Sequence, residues 1–162
     1  MSHKVVSERL LVLKYRWADR SGPANPCSVQ QWPNLVDAVA QHAQAVVKTT
    51  LGIPSVNSNS TAGIADAVQM ARQADTVILA LGTDTYTAGE GHDAVSIALT
   101  PAQSELLARV AAVAKTPVIV VMLTATPLDI SSMMGGGSLD DKVGAVLHIG
   151  QPSVSTLPDS SG

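Results

Sequence analysis

Residues 76–81 read TVILAL, and two further apolar runs follow in the chain, PVIVVML at 117–123 and VGAVLHI at 143–149. All three are rich in β-branched residues, and none keeps a regular polar-apolar alternation. Continuous runs of this kind are typical of parallel strands that helices cover on both faces of the sheet. A weaker run, AVVKTT at 45–50, is a candidate for a fourth strand with one partly polar face.

Helical patterns separate these runs. Residues 34–44 and 61–74 repeat apolar side chains at the spacing of one helix face. Residues 101–115 do the same, and there Thr100 is a candidate N-cap with Gln103 three residues later. A threonine and a glutamine at this spacing are typical of a capping box, in which each side chain binds the backbone of the other residue. The pattern therefore predicts three helices, one before the first candidate strand and two between strands.

A second start signal, Thr126 followed by Pro127, predicts a short helix that ends at the glycines 135–137. The alternation of helices and strands predicts an α/β fold, a three-layer α/β/α sandwich with a mainly parallel sheet. The chain is expected to divide into an irregular N-terminal lead-in (1–34), the α/β-sandwich domain (35–155) and a frayed tail (156–162).

Composition excludes several classes of function. The chain has 162 residues and a formal net charge of −3, and its 10 Lys and Arg residues form no basic run, so no nucleic-acid partner is expected. The strongest apolar run, at 118–123, is too short to cross a bilayer, and no signal peptide is recognisable. A cytoplasmic location without a membrane partner is therefore expected. The single cysteine, Cys27, excludes an internal disulfide, and neither a metal site nor a cofactor is expected.

The longest connection between strong elements follows the strand at 76–81. Loops of such length are usually functional or disordered, and ligands of parallel sheets bind outside the carboxyl ends of the strands. This loop carries side chains suited to binding or proton transfer: Asp84, Tyr86, Glu90, His92 and Asp93. Glu90 stands between two glycines, which suits a general acid that must approach a leaving group. The like charges of Asp84 and Asp93 would help to keep such an acid protonated.

Each of these residues also has a simpler interpretation. Glu90 can be a solvated loop residue, and His92 can be an ordinary surface or packing residue. Asp93 can accept hydrogen bonds from loop amides or from the start of a helix. Tyr86 suits a platform for a sugar ring and an ordinary loop anchor equally well.

A match to the dinucleotide fingerprint must also be weighed. Residues 89–94 fit the pattern G-x-G-x-x-A. However, the first glycine lies eight residues beyond Leu81, and no helix start follows until Thr100. The fingerprint turns directly from a strand into a helix, so a nucleotide-binding domain is the weaker alternative.

Six segments of the chain share one further property. They are ADTVILALGTD (74–84), EGHD (90–93), SIALTPAQ (96–103), PVIVV (117–121), TPLDI (126–130) and HIGQPS (148–153). Together they resemble the C-terminal α/β-sandwich domain of family 3 glycoside hydrolases, in the branch of β-glucosidases and β-xylosidases. The resemblance covers about residues 35–155 and preserves order and spacing along the chain.

The resemblance implies hydrolysis of the O-glycosyl bond of a β-linked sugar by a retaining mechanism. In that family an aspartate nucleophile lies on a TIM barrel and a glutamate acid/base lies on the sandwich domain. The acid/base role falls on Glu90, with Asp93 as a supporting residue, and the remaining loop residues are candidates for substrate binding: Asp84, Tyr86 and His92. A TIM-barrel partner is implied, either in trans or on a longer precursor.

The chain departs from the family pattern in ways that qualify this expectation. Ala94 stands where the family usually has arginine, and no segment resembles the barrel or its nucleophile motif. The loop at 18–34 replaces the first sandwich strand, which would leave an open sheet edge and favour a homodimer. The expectation is a partial glycosidase domain that is inactive alone. The alternative is a non-catalytic α/β module for carbohydrate binding or interaction.

Overall fold

The structure, a computed structural model, describes residues 9–13, 35–43, 46–84, 87, 93–124 and 126–150. These ranges contain five strands and three helices. In chain order they are β1 (Arg9–Leu13), α1 (Leu35–Ala43), β2 (Val46–Thr50), α2 (Ile64–Gln73), β3 (Thr76–Gly82), α3 (Pro101–Ala111), β4 (Val118–Leu123) and β5 (Val143–His148).

The five strands form one sheet in the order β2-β1-β3-β4-β5, and every neighbouring pair is parallel. The two central runs of the sequence, β3 and β4, pair with each other in the register Ile78↔Ile119 to Gly82↔Leu123. The predicted parallel α/β fold is therefore confirmed, and the weak candidate at 45–50 is the edge strand β2.

One face of β3 and β4 carries the main hydrophobic core. Val77, Leu79 and Leu81 of β3 lie beside Val120 and Met122 of β4, and none of these side chains is more than 1% exposed. The helices α2 and α3 cover this face with buried residues from each: Ile64, Ala67, Ala71, Leu106, Leu107 and Val110. These helices carry the apolar stripes that the sequence pattern predicts for them.

The opposite face of the sheet packs against α1. Ile78 of β3 and Val121 of β4 point to this side, where Leu35, Val36 and Val39 of α1 contact them. Successive residues of a strand face opposite sides, so continuous apolar runs supply both cores at once. The three-layer α/β/α sandwich is thus confirmed. Among the described residues, no helix combines the length and the hydrophobicity that crossing a membrane requires.

The strand β1 is a finding that the sequence pattern does not predict. Residues 1–34 are expected to be an irregular lead-in, whereas Arg9–Leu13 forms a strand between β2 and β3, with Leu11 opposite Lys48 and Val77. The irregular assignment is therefore wrong for these five residues, and the rest of 1–34 lies outside the described residues. The sheet edges in the described part of the chain are β2 and β5. The domain boundaries themselves remain predictions.

The predicted short helix after Thr126 is also wrong. Turns occupy this stretch instead, with Met133 N donating to Ile130 O (2.9 Å) and Leu139 N donating to the carbonyl of residue 132 (2.7 Å). The physical reason lies in Asp129, whose side chain accepts from the backbone N–H of Ser131 at 2.8 Å. Such a local bond competes with the helical ladder. The backbone N–H and hydroxyl of Ser131 hold the pKa of Asp129 below its ordinary value.

Candidate active site

The strand order places a topological switch point between β1 and β3. From β1 the chain passes to β2 on one side, and from β3 it passes to β4 and β5 on the other side. Crevices at such points, outside the carboxyl ends of the strands, are the usual ligand sites of open parallel sheets. At this end β3 finishes with Gly82, and Thr83 and Asp84 follow it. The predicted loop therefore starts where the topology favours a site.

Asp84 anchors the start of this loop. Its Oδ1 accepts hydrogen bonds from Asn57 Nδ2 (2.8 Å) and from the backbone N–H of Thr87 (3.1 Å). The N–H of Thr87 also donates to the carbonyl oxygen of Asp84 at 3.0 Å. The hydroxyl of Thr87 has acceptors in Asn57 Oδ1 (2.9 Å) and Asp84 Oδ1 (3.3 Å). These contacts tie the loop to the connection between β2 and α2.

Gln103 fixes the same region from within. Its side chain is 1% exposed, and its Oε1 accepts from the backbone N–H of Gly82 at 2.9 Å. Its Nε2 donates to the carbonyl oxygens of Gly82 (2.9 Å) and Val56 (3.1 Å). Thr100 Oγ1 donates to the same Val56 carbonyl at 3.3 Å. The start of α3 therefore holds the end of β3 and the β2–α2 connection together.

The predicted capping box is only half correct. Thr100 Oγ1 accepts from the backbone N–H of Gln103 at 3.4 Å, as expected of an N-cap. The Gln103 side chain, however, does not return to the backbone of Thr100. It bonds instead to Gly82 and Val56, because these buried backbone groups would otherwise lose hydrogen bonds.

Gln103→Leu is expected to lower the free energy of unfolding by about 2–3 kcal/mol. Leucine fills a similar volume, but it leaves the N–H and carbonyl of Gly82 without the partners that Gln103 provides. Urea unfolding of the variant measures the loss. Gln73→Leu, at an exposed glutamine near the end of α2, is the matched control. Equal stabilities for the two variants would contradict the assignment.

Three threonines join the carboxyl ends of β3 and β4. Thr83 Oγ1 and Thr124 Oγ1 lie 2.6 Å apart, and both residues are buried. Thr124 Oγ1 donates to the carbonyl of Thr126 at 2.9 Å, so the Thr83 hydroxyl supplies the hydrogen in the shorter contact. The backbone N–H of Thr126 also donates to Thr124 Oγ1 at 3.1 Å. These hydroxyls are engaged with one another and support the strand ends.

The structure describes two of the five predicted site residues. Asp84 lies in the loop anchor, whereas Asp93 is exposed and takes no part in the network of Asn57, Asp84 and Thr87. The other three lie outside the described residues: Tyr86, Glu90 and His92. Within the described ranges, no three His, Cys, Asp or Glu residues are grouped so as to hold a metal ion.

Sequence reasoning missed two residues that shape this region. Asn57 lies in a connection rich in serine and asparagine, PSVNSNS at 54–60, where nothing distinguishes it from Asn59. Gln103 fits a local capping pattern so well that its long-range role is hidden. Its complete burial, a property of the fold, is the feature that separates the two roles.

Comparison with known proteins places this arrangement in a family. A family model for the glycosyl hydrolase family 3 C-terminal domain matches residues 12–156. The chain is 37% identical over 148 residues to a probable beta-D-xylosidase 7 of Arabidopsis thaliana, covering 91% of this chain and 18% of the relative. It is 33% identical over 132 residues to a probable exo-1,4-beta-xylosidase of Aspergillus fumigatus, covering 82% of this chain and 16% of the relative.

Two solved structures share the fold of this chain. A GH3 exo-beta-xylosidase in complex with a xylobiose aziridine activity-based probe superposes with a TM-score of 0.68 at 25% identity, over 94% of this chain and 19% of that one. A beta-glucosidase from Listeria innocua shares the fold with a TM-score of 0.65 at 20% identity, over 90% of this chain and 19% of that one. The chain spans less than a fifth of the length of these proteins. It belongs to the family of glycosyl hydrolase family 3 C-terminal domains, and the relatives that it matches at 37% and 33% identity are both probable xylosidases.

Proposed function

We propose that this domain supplies the acid/base loop for the hydrolysis of β-glycosides by a retaining mechanism, with Glu90 as the acid/base. The observation that carries the proposal is the anchored loop start at the switch point of the sheet, where Asp84 binds Asn57 and Thr87. Glu90 follows Thr87 by three residues in the sequence. Membership of the family supports the same assignment.

The mechanism needs two carboxyl groups about 5–5.5 Å apart across the scissile bond. In the first step the acid form of Glu90 donates its proton to the glycosidic oxygen as the bond to the anomeric carbon breaks. A carboxylate from a second domain attacks that carbon and forms a glycosyl ester. In the second step Glu90, now a carboxylate, removes a proton from water, and the water oxygen displaces the ester. Two inversions at the anomeric carbon give net retention.

The supporting roles are part of the same proposal. Asp93, exposed at the far end of the loop, assists Glu90 or the substrate, while Tyr86 and His92 contact the β-linked sugar. Asp84 contributes through the loop anchor, because its Oδ1 is engaged with Asn57 and Thr87. The second domain, a TIM barrel in trans or on a longer chain, supplies the nucleophile and most of the sugar site.

The chain alone is expected to show no hydrolysis of an aryl β-xyloside or β-glucoside above background. An acid without a nucleophile cannot form the glycosyl ester that the mechanism requires. Mixed with the separately produced barrel domain of a relative, the chain is expected to restore turnover, and the measurement is release of the phenol.

The control for dependence on Glu90 is the variant Glu105→Gln, at an exposed glutamate on α3. When mixed with the barrel domain, it should restore turnover as well as the unaltered chain does. Turnover by the chain alone that depends on Glu90 would contradict the proposal. A stable complex with the barrel that remains inactive would contradict it as well.

A second candidate is a non-catalytic module that binds carbohydrate or a partner. Ala94 favours it, because this half-buried alanine cannot pair with a carboxylate as the family's usual arginine can. Titration with xylo-oligosaccharides distinguishes the candidates: a module of this kind binds them without any barrel. Nucleotide binding has little support, because the Asp84 carboxylate lies at the strand end where phosphates would approach.

A further inference from the structure

We propose that Asn57 is a positioning residue for the acid/base loop, an inference that rests on the proposed role of Glu90. Asn57 lies outside that loop, in the connection between β2 and α2. Its amide uses both ends: Nδ2 donates to Asp84 Oδ1 at 2.8 Å, and Oδ1 accepts from Thr87 Oγ1 at 2.9 Å. One side chain thus clamps two points of the loop start.

The backbone that carries Asn57 is held in place by hydrogen bonds. Val56, the residue before Asn57, is 2% exposed, and its carbonyl oxygen accepts from Gln103 Nε2 (3.1 Å) and Thr100 Oγ1 (3.3 Å). A turn in which Ser58 N donates to the carbonyl of residue 55 at 3.1 Å fixes the backbone around Asn57. The amide is therefore presented from a backbone that α3 holds in place.

The backbone beside Asp84, on the other side of the clamp, is held by the same Gln103 side chain. Gly82, two residues before Asp84, bonds to the Gln103 side chain through both its N–H and its carbonyl. Asn57 and Asp84 are thus both held relative to one buried glutamine. This common reference sets the position of Thr87, which precedes Glu90 by three residues in the sequence.

Position matters for a general acid because its proton must reach the leaving-group oxygen within hydrogen-bond distance. A displacement of about 1 Å can lower the rate of an enzymatic step by up to about 100-fold. Asn57 is exposed, and an asparagine in that position with only local bonds would have no such influence; its bonds instead reach residues 27 and 30 positions along the chain. The two interpretations therefore make different predictions for variants of Asn57.

The decisive variant is Asn57→Asp, which keeps the shape of the side chain but replaces the amide donor with a carboxylate oxygen that faces Asp84. Asn59→Asp adds the same charge at an exposed asparagine two residues away and is the matched control. Asn57→Ala and Asn59→Ala form a second pair that adds no charge. Urea unfolding is measured for all four to confirm that they fold.

Two readouts test the role. In the isolated chain, NMR is expected to show altered backbone amide signals for residues 85–92 and an altered carboxyl carbon signal of Glu90 in the Asn57 variants, but not in the Asn59 variants. With the barrel domain added, the Asn57 variants are expected to lower kcat by about 10- to 100-fold for alkyl glycosides, which have poor leaving groups, with KM changed by less than about twofold. Glycosides of acidic phenols should lose much less.

The outcomes separate this inference from the proposed function. Unchanged NMR signals in the Asn57 variants, or equal kinetic losses for both classes of leaving group, would overturn the inference. Changed signals in a chain that never supports turnover with a barrel would overturn the acid/base function while the structural effect of Asn57 on the loop stands.

Discussion

Gly82→Ala is expected to lower the free energy of unfolding by about 4–5 kcal/mol, a loss at the upper end for single substitutions. A Cβ atom at this position would lie 2.0 Å from the carbonyl oxygen of Leu123, which is backbone of the neighbouring strand β4. The φ angle of Gly82 is +151°, a conformation that side-chain-bearing residues rarely adopt. Both effects oppose any residue other than glycine.

The region cannot relax easily around the added atom. Gly82 is hydrogen-bonded to Gln103 through its N–H and its carbonyl, and the next residue, Thr83, donates its N–H to Leu123 O at 3.1 Å. Moving β3 away from β4 would break the bond from Thr83 to Leu123, and shifting Gly82 would break its bonds to Gln103. The close approach is therefore part of the way in which the two strands bring their carboxyl ends together.

Urea unfolding followed by circular dichroism measures the effect of Gly82→Ala. Gly135→Ala is the matched control, because Gly135 has a φ of +66° but no atom within 4 Å of its added Cβ. It bears backbone strain alone, which costs about 1–2 kcal/mol. A Gly82→Ala loss no larger than that of Gly135→Ala would show that the close contact with Leu123 is unimportant.

Most of the sheet can be predicted from the sequence because its strands are buried on both faces. β3 and β4 require apolar residues at every position, and that requirement leaves a continuous run such as TVILAL at 76–81. The helices α1, α2 and α3 need only one apolar stripe, and the 3.6-residue spacing reveals it. Parallel pairing follows from the alternation of the two types of element.

β1 escapes prediction for a physical reason. Its five residues, RLLVL, are a short run, and its partners β2 and β3 lie far along the chain. Because β1 pairs with strands that come later in the chain, its own sequence does not indicate which strands lie beside it. The helix predicted after Thr126, where the chain forms turns, is the opposite case, since the local start signal is present but the Asp129 side chain bonds to the N–H of Ser131.

Some residues of the candidate site can also be predicted from the sequence, and others cannot. Asp84 can be placed at the carboxyl end of β3 because the strand and the loop adjoin in sequence. Asn57 cannot be placed there, because it reaches the loop from the connection between β2 and α2, 27 residues away. Gln103 shows that one residue can satisfy a local rule with its backbone while its side chain serves a distant strand.

Glu90→Gln, in the chain combined with a barrel domain, is expected to lower kcat/KM for glycosides with poor leaving groups by about 10²–10⁴-fold. The side-chain amide of glutamine is too weak an acid to transfer a proton, so the leaving oxygen must depart as an alkoxide. Glycosides of acidic phenols need little protonation, and their kcat/KM, which reports the first step, should fall much less. Comparing alkyl and dinitrophenyl glycosides of the same sugar measures this contrast.

Asp93→Asn is the companion variant. A supporting residue is expected to change substrate binding or the pH dependence while the relation between rate and leaving group stays the same. Equal losses of kcat/KM for alkyl and dinitrophenyl glycosides in Glu90→Gln would remove the acid/base assignment and leave the loop with a structural role.

The second half of the mechanism gives an independent test through Glu90→Ala. Without a base, water attacks the glycosyl ester slowly, so the ester should accumulate when a dinitrophenyl glycoside forms it quickly. Azide needs no proton removed before it attacks the anomeric carbon, and the space left by the shortened side chain admits it. Added azide is therefore expected to restore kcat and to give a glycosyl azide with retained configuration, which NMR identifies. Asp93→Ala should gain nothing from azide, because a supporting residue leaves the base in place; rescue of that variant instead would move the base from Glu90 to Asp93.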